Sequence, residues 1–213
     1  SRLPGKPLLK INNLSIISHV FKKAEQANIG EVVVATENNE ILEDVKKNGG
    51  RGILTRSDHK TGTDRIFEAY KKLDFKNIDF ILNLQGDEPM LDPQEIIEAI
   101  EAKKKYPGFV INCAAELQDF EKPEDRNIIK MTTSLNNNLL YASRNPIPVK
   151  KSGDAPLSKK QVCIYVYNKK ELEKFADQKT TSLEEVEEVD ILRFLELEMP
   201  VKIIEVAGDS HAV

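Results

Sequence analysis

Cysteine is scarce in this sequence, and no stretch of it is apolar for long. The two cysteines, Cys113 and Cys163, both lie in apolar runs with the pattern of strands. Two buried free thiols in a reducing cytosol are the expected arrangement, and a disulfide between them is the less favoured alternative. No apolar run approaches the roughly 20 residues that a membrane-spanning helix requires, and no signal peptide is visible. We therefore expect a cytoplasmic protein without a membrane span.

Several motifs that define common enzyme and binding classes are also missing. The formal net charge is −4 at pH 7. This excludes bulk binding of nucleic acid, which requires a basic surface, but leaves nucleotides open as ligands. The sequence contains no GxGxxG dinucleotide motif, no GxxxxGK phosphate loop and no HExxH zinc motif. No pair of cysteines has zinc-binding spacing, and no nucleophile elbow supports a Ser-His-Asp triad.

Strand-like and helix-like segments alternate along most of the chain. Short apolar runs, such as residues 31–36 and 80–84, are typical of buried parallel strands. Helical patterns lie between such runs, at residues 13–28, 39–48, 63–73 and 93–106, the last with Asp92 as its N-cap. The alternation predicts an α/β fold with a mainly parallel sheet, helices on both faces, and ligands bound at the carboxyl ends of the strands.

The pattern changes in the last third of the chain. Residues 128–134 and 139–142 flank three asparagines and predict a β-hairpin. No linker between two domains is evident. We therefore expect one domain over residues 1–213, with a small β-rich lobe inserted at about 128–170.

An acidic segment near the end of the chain has the periodicity of a helix. The pattern predicts one long helix over residues 182–198, with Ser182 as its N-cap and Glu185 three residues on as the partner in a capping box. Its carboxylates are most simply explained as a solvated helix face. One of them could still face a binding pocket.

Two polar loops carry candidate chemistry. Residues 2–7 place two cations, Arg2 and Lys6, on either side of a Pro-Gly turn, and such cations can hold phosphates. A plain solvated loop is an equally good interpretation of that pattern. Residues 55–65 form a dense polar loop that leads into a helix. Its backbone and hydroxyl groups could read the edge of a base, or the loop could simply be solvated.

A third polar segment, residues 85–89 (QGDEP), follows directly on the strand-like run 80–84. A carboxylate after a glycine at the carboxyl end of a strand, here Asp87, is well placed to hold Mg²⁺ against a triphosphate. A plain β-turn is the alternative, because Gly, Asp and Pro are turn residues. Paired acids directly after an apolar strand favour a functional role.

Taken together and in this order, the motifs are similar to those of the 3-deoxy-manno-octulosonate cytidylyltransferase (CMP-KDO synthetase) family. Residues 83–89 (NLQGDEP) are the most specific part of a similarity that spans nearly the whole chain. The other matching segments are residues 1–8, 33–36, 55–59, 61–65, 141–148, 164–165 and 182–184. The resemblance implies a Rossmann-like nucleotidyltransferase fold and a homodimer built partly through the inserted lobe. It also implies CTP and a sugar acid as substrates, Mg²⁺ as the cofactor, and a role in lipopolysaccharide or capsule synthesis.

The resemblance also assigns roles to individual residues. It implies that Lys6, Arg2 and Asp87 are catalytic, with Asp87 as a metal ligand. The implied nucleotide-binding residues are Arg2, Lys6, Thr63, Arg65 and Gln85. The implied sugar-binding residues are Gln85, Arg144, Gln161, Tyr165, Glu184 and Glu185, with Arg144 binding the sugar carboxylate.

The reaction implied by the resemblance is a direct displacement. The anomeric hydroxyl of the sugar attacks the α-phosphorus of CTP, and pyrophosphate leaves. Positioning and charge neutralisation by Mg²⁺, Lys6 and Arg2 would carry the rate. A bidentate pair between Arg144 and a carboxylate would explain why an acidic sugar is chosen.

The sequence departs from the family pattern in three places. The family has a strand and an IPAR loop before residues 1–6, and a second metal-binding Asp just past Val213. We therefore expect that both ends of this chain have been trimmed. Gln161 stands where the family has a sugar-contacting His. Glutamine cannot carry a positive charge, although it both donates and accepts hydrogen bonds. The sugar could therefore differ from 3-deoxy-manno-octulosonate, and its 8-amino analogue is one candidate.

Two other functions fit parts of the pattern. A nucleotidyltransferase for a neutral sugar phosphate would usually open with a glycine-rich loop, which the visible start of the sequence lacks. A catalytically dead binding domain on the same fold is kept open by Gln161. The retention of Arg2, Lys6, Asp87 and Arg144 argues against it, because dead homologues usually lose such charges.

Overall fold

The computed structural model describes residues 5–153 and 159–208, and the described chain divides into two compact units. The helices are α1 (Ile16–Gln26), α2 (Asn39–Lys47), α3 (Gly62–Leu73), α4 (Pro93–Lys105), α5 (Lys169–Ala176), α6 (Ser182–Glu187) and α7 (Ile191–Glu196), with a 3₁₀ turn at Lys6–Leu8. The strands are β1 (Lys10–Ile11), β2 (Leu14–Ser15), β3 (Val33–Thr36), β4 (Arg51–Leu54), β5 (Ile81–Leu84), β6 (Val110–Glu116), β7 (Lys130–Thr133), β8 (Leu139–Ser143), β9 (Lys159–Tyr167) and β10 (Val201–Glu205). The predicted single domain with an inserted lobe stays a prediction.

The first unit contains residues 5–77 and 84–97. Strands β3 and β4 pair in parallel, and α2 connects them, as the alternation of segments predicted. Ile17, Phe21 and Val45 form a buried core cluster on α1 and α2. The partly buried side chains of Val32, Val34 and Ile41 pack against this cluster, so α1 buries one apolar face here.

The second unit contains residues 78–83, 98–153 and 159–208. Its sheet has the order β10-β6-β9-β7-β8, and β5 pairs with β9. β6 and β10 are parallel, whereas β9 is antiparallel to β6 and β7, and β7 is antiparallel to β8. The sheet is therefore mixed rather than mainly parallel. The reason is that the predicted hairpin, now β7 and β8, adds to β9, which itself enters the sheet antiparallel to its neighbour.

Strand β9 carries a bulge where it pairs with β6. Asn112 and Cys113 are adjacent on β6, but their partners on β9, Tyr165 and Val162, are three residues apart. Over this stretch β9 therefore has two more residues than β6. Such an insertion interrupts the ladder, and the carbonyl groups that it releases need other donors.

The acidic segment 182–198 is not the single helix that its periodicity predicted. Helix α6 ends at Glu187, and Glu188 has a φ of +53°, a left-handed conformation that terminates a helix. Neither Gly nor Pro marks this break in the sequence. Conversely, α5 was not predicted, although Asn168 and Glu171 form a capping box at its start.

The start of α6 lies one residue earlier than predicted. Thr181, and not Ser182, is the N-cap. The carboxylate that reaches back to the N-cap N–H belongs to Glu184, at 3.1 Å, and not to Glu185. The predicted capping box had the correct spacing but was placed one residue too late.

The predicted cap of α4 is confirmed. Helix α4 begins at Pro93, and Asp92 caps it by accepting the N–H of Gln94 at 2.9 Å. Neither cysteine is in a disulfide; Cys113 is buried as predicted, whereas Cys163 is partly exposed. Within residues 5–153 and 159–208, no helix is long and apolar enough to cross a bilayer.

Candidate active site

Lys6 and Asp87 come from two separate sequence motifs and form an ion pair in the first unit. Lys6 begins the 3₁₀ turn after Gly5, whose φ of +75° suits a glycine. Its Nζ lies 2.7 Å from Oδ2 of Asp87, and the two side chains are 20% and 30% exposed. Because both can be reached from solvent, a phosphate can replace Asp87 as the partner of the ammonium group and release the carboxylate to a cation. Arg2 lies outside the described residues.

The turn that carries Asp87 follows β5. A Cβ at Gly86 would lie 2.7 Å from Cδ1 of Ile17, the end of a side chain that would have to move, and Gln85 is exposed. In the described part of the chain, no three His, Cys, Asp or Glu side chains form a metal-binding cluster. At this turn the carboxylate of Asp87 is the group predicted to hold Mg²⁺. That donor set fits an ion which takes most of its ligands from phosphates and water.

Arg65, a predicted nucleotide contact, binds protein groups in this structure. Its Nη1 donates to Oγ1 of Thr55 at 2.7 Å and to the carbonyl of Arg56 at 3.1 Å, and its Nη2 pairs with Glu37. Thr63 is completely buried in the first turn of α3. Arg65 thus fastens the preceding loop to α3, and the nucleotide contacts of both residues stay predictions.

Glu68, which the sequence analysis did not single out, fastens the same loop. Its carboxylate accepts the backbone N–H of Arg56 at 3.2 Å, pairs with His59, and lies 2.6 Å from Nζ of Lys72. Burial alone would raise the pKa of Glu68. The hydrogen bonds from Lys72, His59 and Arg56 outweigh burial and hold that pKa at about 2. The i,i+4 spacing to Lys72 is a weak signal of this role in the sequence.

Arg144 lies in the second unit, directly after β8, and donates to three backbone carbonyls. Nε donates to Glu187 at 2.6 Å, Nη1 to Arg126 at 2.9 Å and Nη2 to Glu188 at 3.1 Å. The carboxylate of Glu187 accepts the backbone N–H of Arg144 at 2.9 Å. A guanidinium group has five N–H donors. One donor on each terminal nitrogen is therefore left for the predicted contact with a sugar carboxylate.

Lys130 holds the same loop, although the sequence analysis did not single it out. Its side chain is completely buried, and its Nζ donates to the carbonyls of Asp125, Ile128 and Arg144. Burial lowers the pKa of Lys130, and the charge of Asp125 opposes that effect. Each proton of the ammonium group has a backbone acceptor, so the charge fixes the backbone at Arg144.

Glu184 and Glu185, both predicted sugar contacts, lie in different surroundings. Two oxygens of Glu184 each accept a 2.6 Å bond from the guanidinium of Arg193, and the two side chains are 2% and 1% exposed. That guanidinium also lies over the ring of Phe175, 3.8 Å from its centroid. Glu184 therefore belongs to the interior of the second unit. Glu185 is exposed and is the member of the pair that a ligand can reach.

The two predicted sugar contacts on β9 each have a partner that the sequence analysis missed. The hydroxyl of Tyr165 donates to Oδ1 of Asp190 at 3.1 Å. Burial and the charge of Asp190 raise the pKa of Tyr165 well above its ordinary value. Gln161 donates from Nε2 to Oδ1 of Asn112 at 2.9 Å. Pairing of β6 with β9 brings Asn112 to Gln161, and Asp190, at the start of α7, meets Tyr165 from 25 positions away, so no local signal in the sequence reveals either partner.

The predicted site residues that the structure describes are divided between the two units. The first unit contains Lys6, Thr63, Arg65, Gln85 and Asp87, which are the predicted nucleotide and metal contacts. The second contains Arg144, Gln161, Tyr165, Glu184 and Glu185, which are predicted sugar contacts. Within the first unit, Lys6 and Asp87 are in direct hydrogen-bonded contact.

The solved structure of a CMP:2-keto-3-deoxy-manno-octonic acid synthetase complexed with CTP has the same fold. It aligns with 100% of this chain and 88% of its own, with a TM-score of 0.88 and 32% sequence identity. The fold is that of a nucleotidyltransferase. The sequence profile of the cytidylyltransferases matches residues 1–203.

Two curated relatives agree with this class. The 8-amino-3,8-dideoxy-manno-octulosonate cytidylyltransferase of Shewanella halifaxensis is 36% identical over 217 residues, which cover 100% of this chain and 88% of the relative. The 3-deoxy-manno-octulosonate cytidylyltransferase of Escherichia coli is 32% identical over 214 residues, which cover 100% and 86%. The chain therefore belongs to the 3-deoxy-manno-octulosonate cytidylyltransferase family, as its motifs predicted.

Proposed function

We propose that this protein transfers CMP from CTP to the anomeric hydroxyl of a 3-deoxy-octulosonate-type sugar acid and releases pyrophosphate. The observation that carries the proposal is the 2.7 Å ion pair between Lys6 and Asp87. It joins the two motifs that a triphosphate and its cation require, in a chain that has full-length relatives with this activity in their names. The product would enter lipopolysaccharide or capsule synthesis.

The chain's own residues act mainly by position and charge. Lys6, together with Arg2, binds the phosphates of CTP and orients the α-phosphorus towards the sugar. A new bond forms between the anomeric oxygen and the α-phosphorus, the bond from that phosphorus to pyrophosphate breaks, and the hydroxyl proton passes to solvent. Asp87 would hold a Mg²⁺ ion, which would supply positive charge for the leaving pyrophosphate.

The sugar acid is bound by residues of the second unit. Arg144 donates three of its N–H groups to backbone carbonyls. The other two can donate to the two oxygens of the sugar carboxylate. Lys130 and Glu187 hold the backbone of Arg144 in place before the sugar binds. Binding therefore costs little conformational entropy at this residue. Gln161, Tyr165 and Glu185 are the proposed partners of the sugar hydroxyls.

We also propose that the enzyme works in the cytoplasm as a homodimer. Two cysteines that form no disulfide are compatible with a reducing compartment. The hairpin exposes Leu135 and Leu140, whose relative exposures are 105% and 61%, and such apolar side chains suit a contact with a second copy. Light scattering should give twice the mass of one chain, and Leu140→Lys should lower it. A monomer at micromolar concentration would contradict the dimer without affecting the proposed reaction.

The test of the reaction is pyrophosphate release by the full-length protein with CTP and Mg²⁺. 3-Deoxy-manno-octulosonate and its 8-amino analogue are offered in parallel. Asp87→Asn should lower kcat by about 100-fold or more, because it removes a charge that the metal requires. Asp119→Asn, at an exposed position in the second unit, is the matched control and should keep full activity. CTP binding without pyrophosphate release from either sugar would refute the proposal and favour a binding domain.

A further inference from the structure

The bulge in β9 fixes the orientation of one buried amide. Asn112 is completely buried, and its Nδ2 donates to the carbonyls of Val162 and Ile164 at 3.1 and 2.9 Å. These carbonyls lie in the stretch where β9 has more residues than β6. An amide nitrogen has two hydrogens, and both are used here. The amide of Asn112 cannot be turned over without facing oxygen to oxygen, so its Oδ1 must point away from these carbonyls.

The orientation of the Asn112 amide determines the orientation of the Gln161 amide. Oδ1 of Asn112 can only accept, so Gln161 must present its Nε2, and it does so at 2.9 Å. The other end of the Gln161 amide, Oε1, is thereby fixed as an acceptor. It is buried and has no hydrogen-bond donor among residues 5–153 and 159–208. Buried acceptors without a donor are rare in proteins and mark places where water or a ligand donates.

An obligate neutral acceptor selects its ligand differently from a histidine. A histidine at this position could donate or accept, and when protonated it would repel a cation. Gln161, held by Asn112, can only accept at Oε1 and carries no charge. An ammonium group has three N–H donors and no acceptor. Hydrogen bonds that involve a charged partner are also stronger than neutral ones. The position therefore suits a cationic donor on the sugar better than a hydroxyl.

The relatives' names supply two sugars that differ in this respect. One relative acts on 3-deoxy-manno-octulosonate, and another on the 8-amino-3,8-dideoxy sugar, which has an amine where the first has a hydroxyl. We propose that Asn112 is a positioning residue that makes Gln161 an acceptor for the C8 ammonium group, so that the 8-amino sugar is the preferred substrate. This inference rests on the proposed function and names the substrate within its class. The sugar must displace the atoms that cover Oε1 when it binds.

The experiment measures kcat/KM for both sugars with the full-length protein and CTP, at a pH where the amine is protonated. The expected preference for the 8-amino sugar is about five- to tenfold, the difference between a charge-assisted and a neutral hydrogen bond. Gln161→His should remove that preference. Its remaining ratio should also fall as the pH is lowered from 8 to 6, because the imidazole then becomes charged and repels the ammonium group. Gln26→His, at the exposed end of α1, is the matched control and should leave the ratio unchanged at every pH.

Asn112→Leu tests the positioning role separately. Leucine cannot orient the amide of Gln161, so the preference should fall towards one even though Gln161 is still present. A purely structural role for Asn112 would lower activity with both sugars equally and leave their ratio unchanged. The Gln161→His result does not depend on whether the Asn112 variant folds.

The outcomes separate the inference from the proposed function. If the unmodified protein turns over both sugars equally, or prefers the hydroxyl sugar, the inference is overturned and the proposed reaction stands. A preference for the 8-amino sugar that survives in Gln161→His also overturns it. If neither sugar supports pyrophosphate release, the proposed function fails, and the inference fails with it. A preference that both substitutions abolish supports the inference.

Discussion

Replacing Glu184 with glutamine would separate a structural role from a sugar-binding role in the acidic segment. The carboxylate accepts two 2.6 Å bonds from Arg193 and one of 3.1 Å from the N–H of Thr181. Glutamine keeps the shape but presents an amide NH₂ to the guanidinium and leaves a buried positive charge without its partner. Removing one side of a buried pair costs about 3–5 kcal/mol. At about 2–4 °C per kcal/mol for a chain of this length, Tm should fall by about 6–20 °C.

Circular dichroism at 222 nm is the suitable probe, because the sequence has no tryptophan to report unfolding by fluorescence. Glu185→Gln changes an exposed neighbour and should shift the stability by less than about 0.5 kcal/mol. Adding Arg193→Met to Glu184→Gln removes the unpaired charge, so the double variant should be more stable than Glu184→Gln alone. A Glu184→Gln protein with unchanged Tm and a KM for the sugar raised about tenfold would refute this reasoning and give Glu184 a ligand.

Three further outcomes follow from contacts described above. The pKa of Glu68 is about 2 in the folded chain, against an ordinary value of 4.5. The charged carboxylate therefore stabilises the fold fully above about pH 4.5, and this stabilisation is lost as the pH falls towards 2. Glu68→Gln should therefore lower Tm at pH 7, and the difference should shrink between pH 5 and pH 3. Gly50→Ala should lower the urea midpoint by the equivalent of about 1–3 kcal/mol, because its Cβ would lie 2.9 Å from the ring of Phe21 and from Val45; an unchanged midpoint would contradict this packing. Arg144→Lys should lower Tm and raise the KM for the sugar acid, because an ammonium group does not reproduce the guanidinium fork; a fall in Tm with an unchanged KM would argue against the carboxylate contact.

The parts of the site that were predicted from sequence are those with local signals. The segment 85–89 stands out because an apolar strand leads directly into turn residues and acids, and both facts are visible within ten residues. The cap at Asp92 was also predicted from a local signal, because Asp92 directly precedes Pro93 at the start of a helical pattern. Lys6 carried only an ambiguous signal, and its pairing with Asp87, 81 positions away, is a property of the folded chain.

The parts that were missed depend on contacts between distant segments. Alternation of strands and helices predicted the class of fold, but it contains no information on the order of strands in the sheet. Nothing in the sequence indicates that β9 lies between β6 and β7, and without that order the pairing of Gln161 with Asn112 cannot be foreseen. The resemblance assigned Glu184 to the sugar, and its pairing with Arg193, nine positions away, was not foreseen. The break at Glu188 has neither Gly nor Pro as a signal, and it allows Arg193 to meet that carboxylate.

The bulge in β9 also constrains how the sequence can evolve. A change of Asn112 to an apolar residue leaves the carbonyls of Val162 and Ile164 without a side-chain donor, and Nε2 of Gln161 without an acceptor. Each buried polar group left unpaired costs about 1–3 kcal/mol, a large fraction of the stability of a typical domain. Replacing either Asn112 or Gln161 alone would therefore destabilise the protein, which hinders a change of preferred sugar that proceeds by one substitution at a time. Residues 112 and 161 should be inherited as a pair and replaced together.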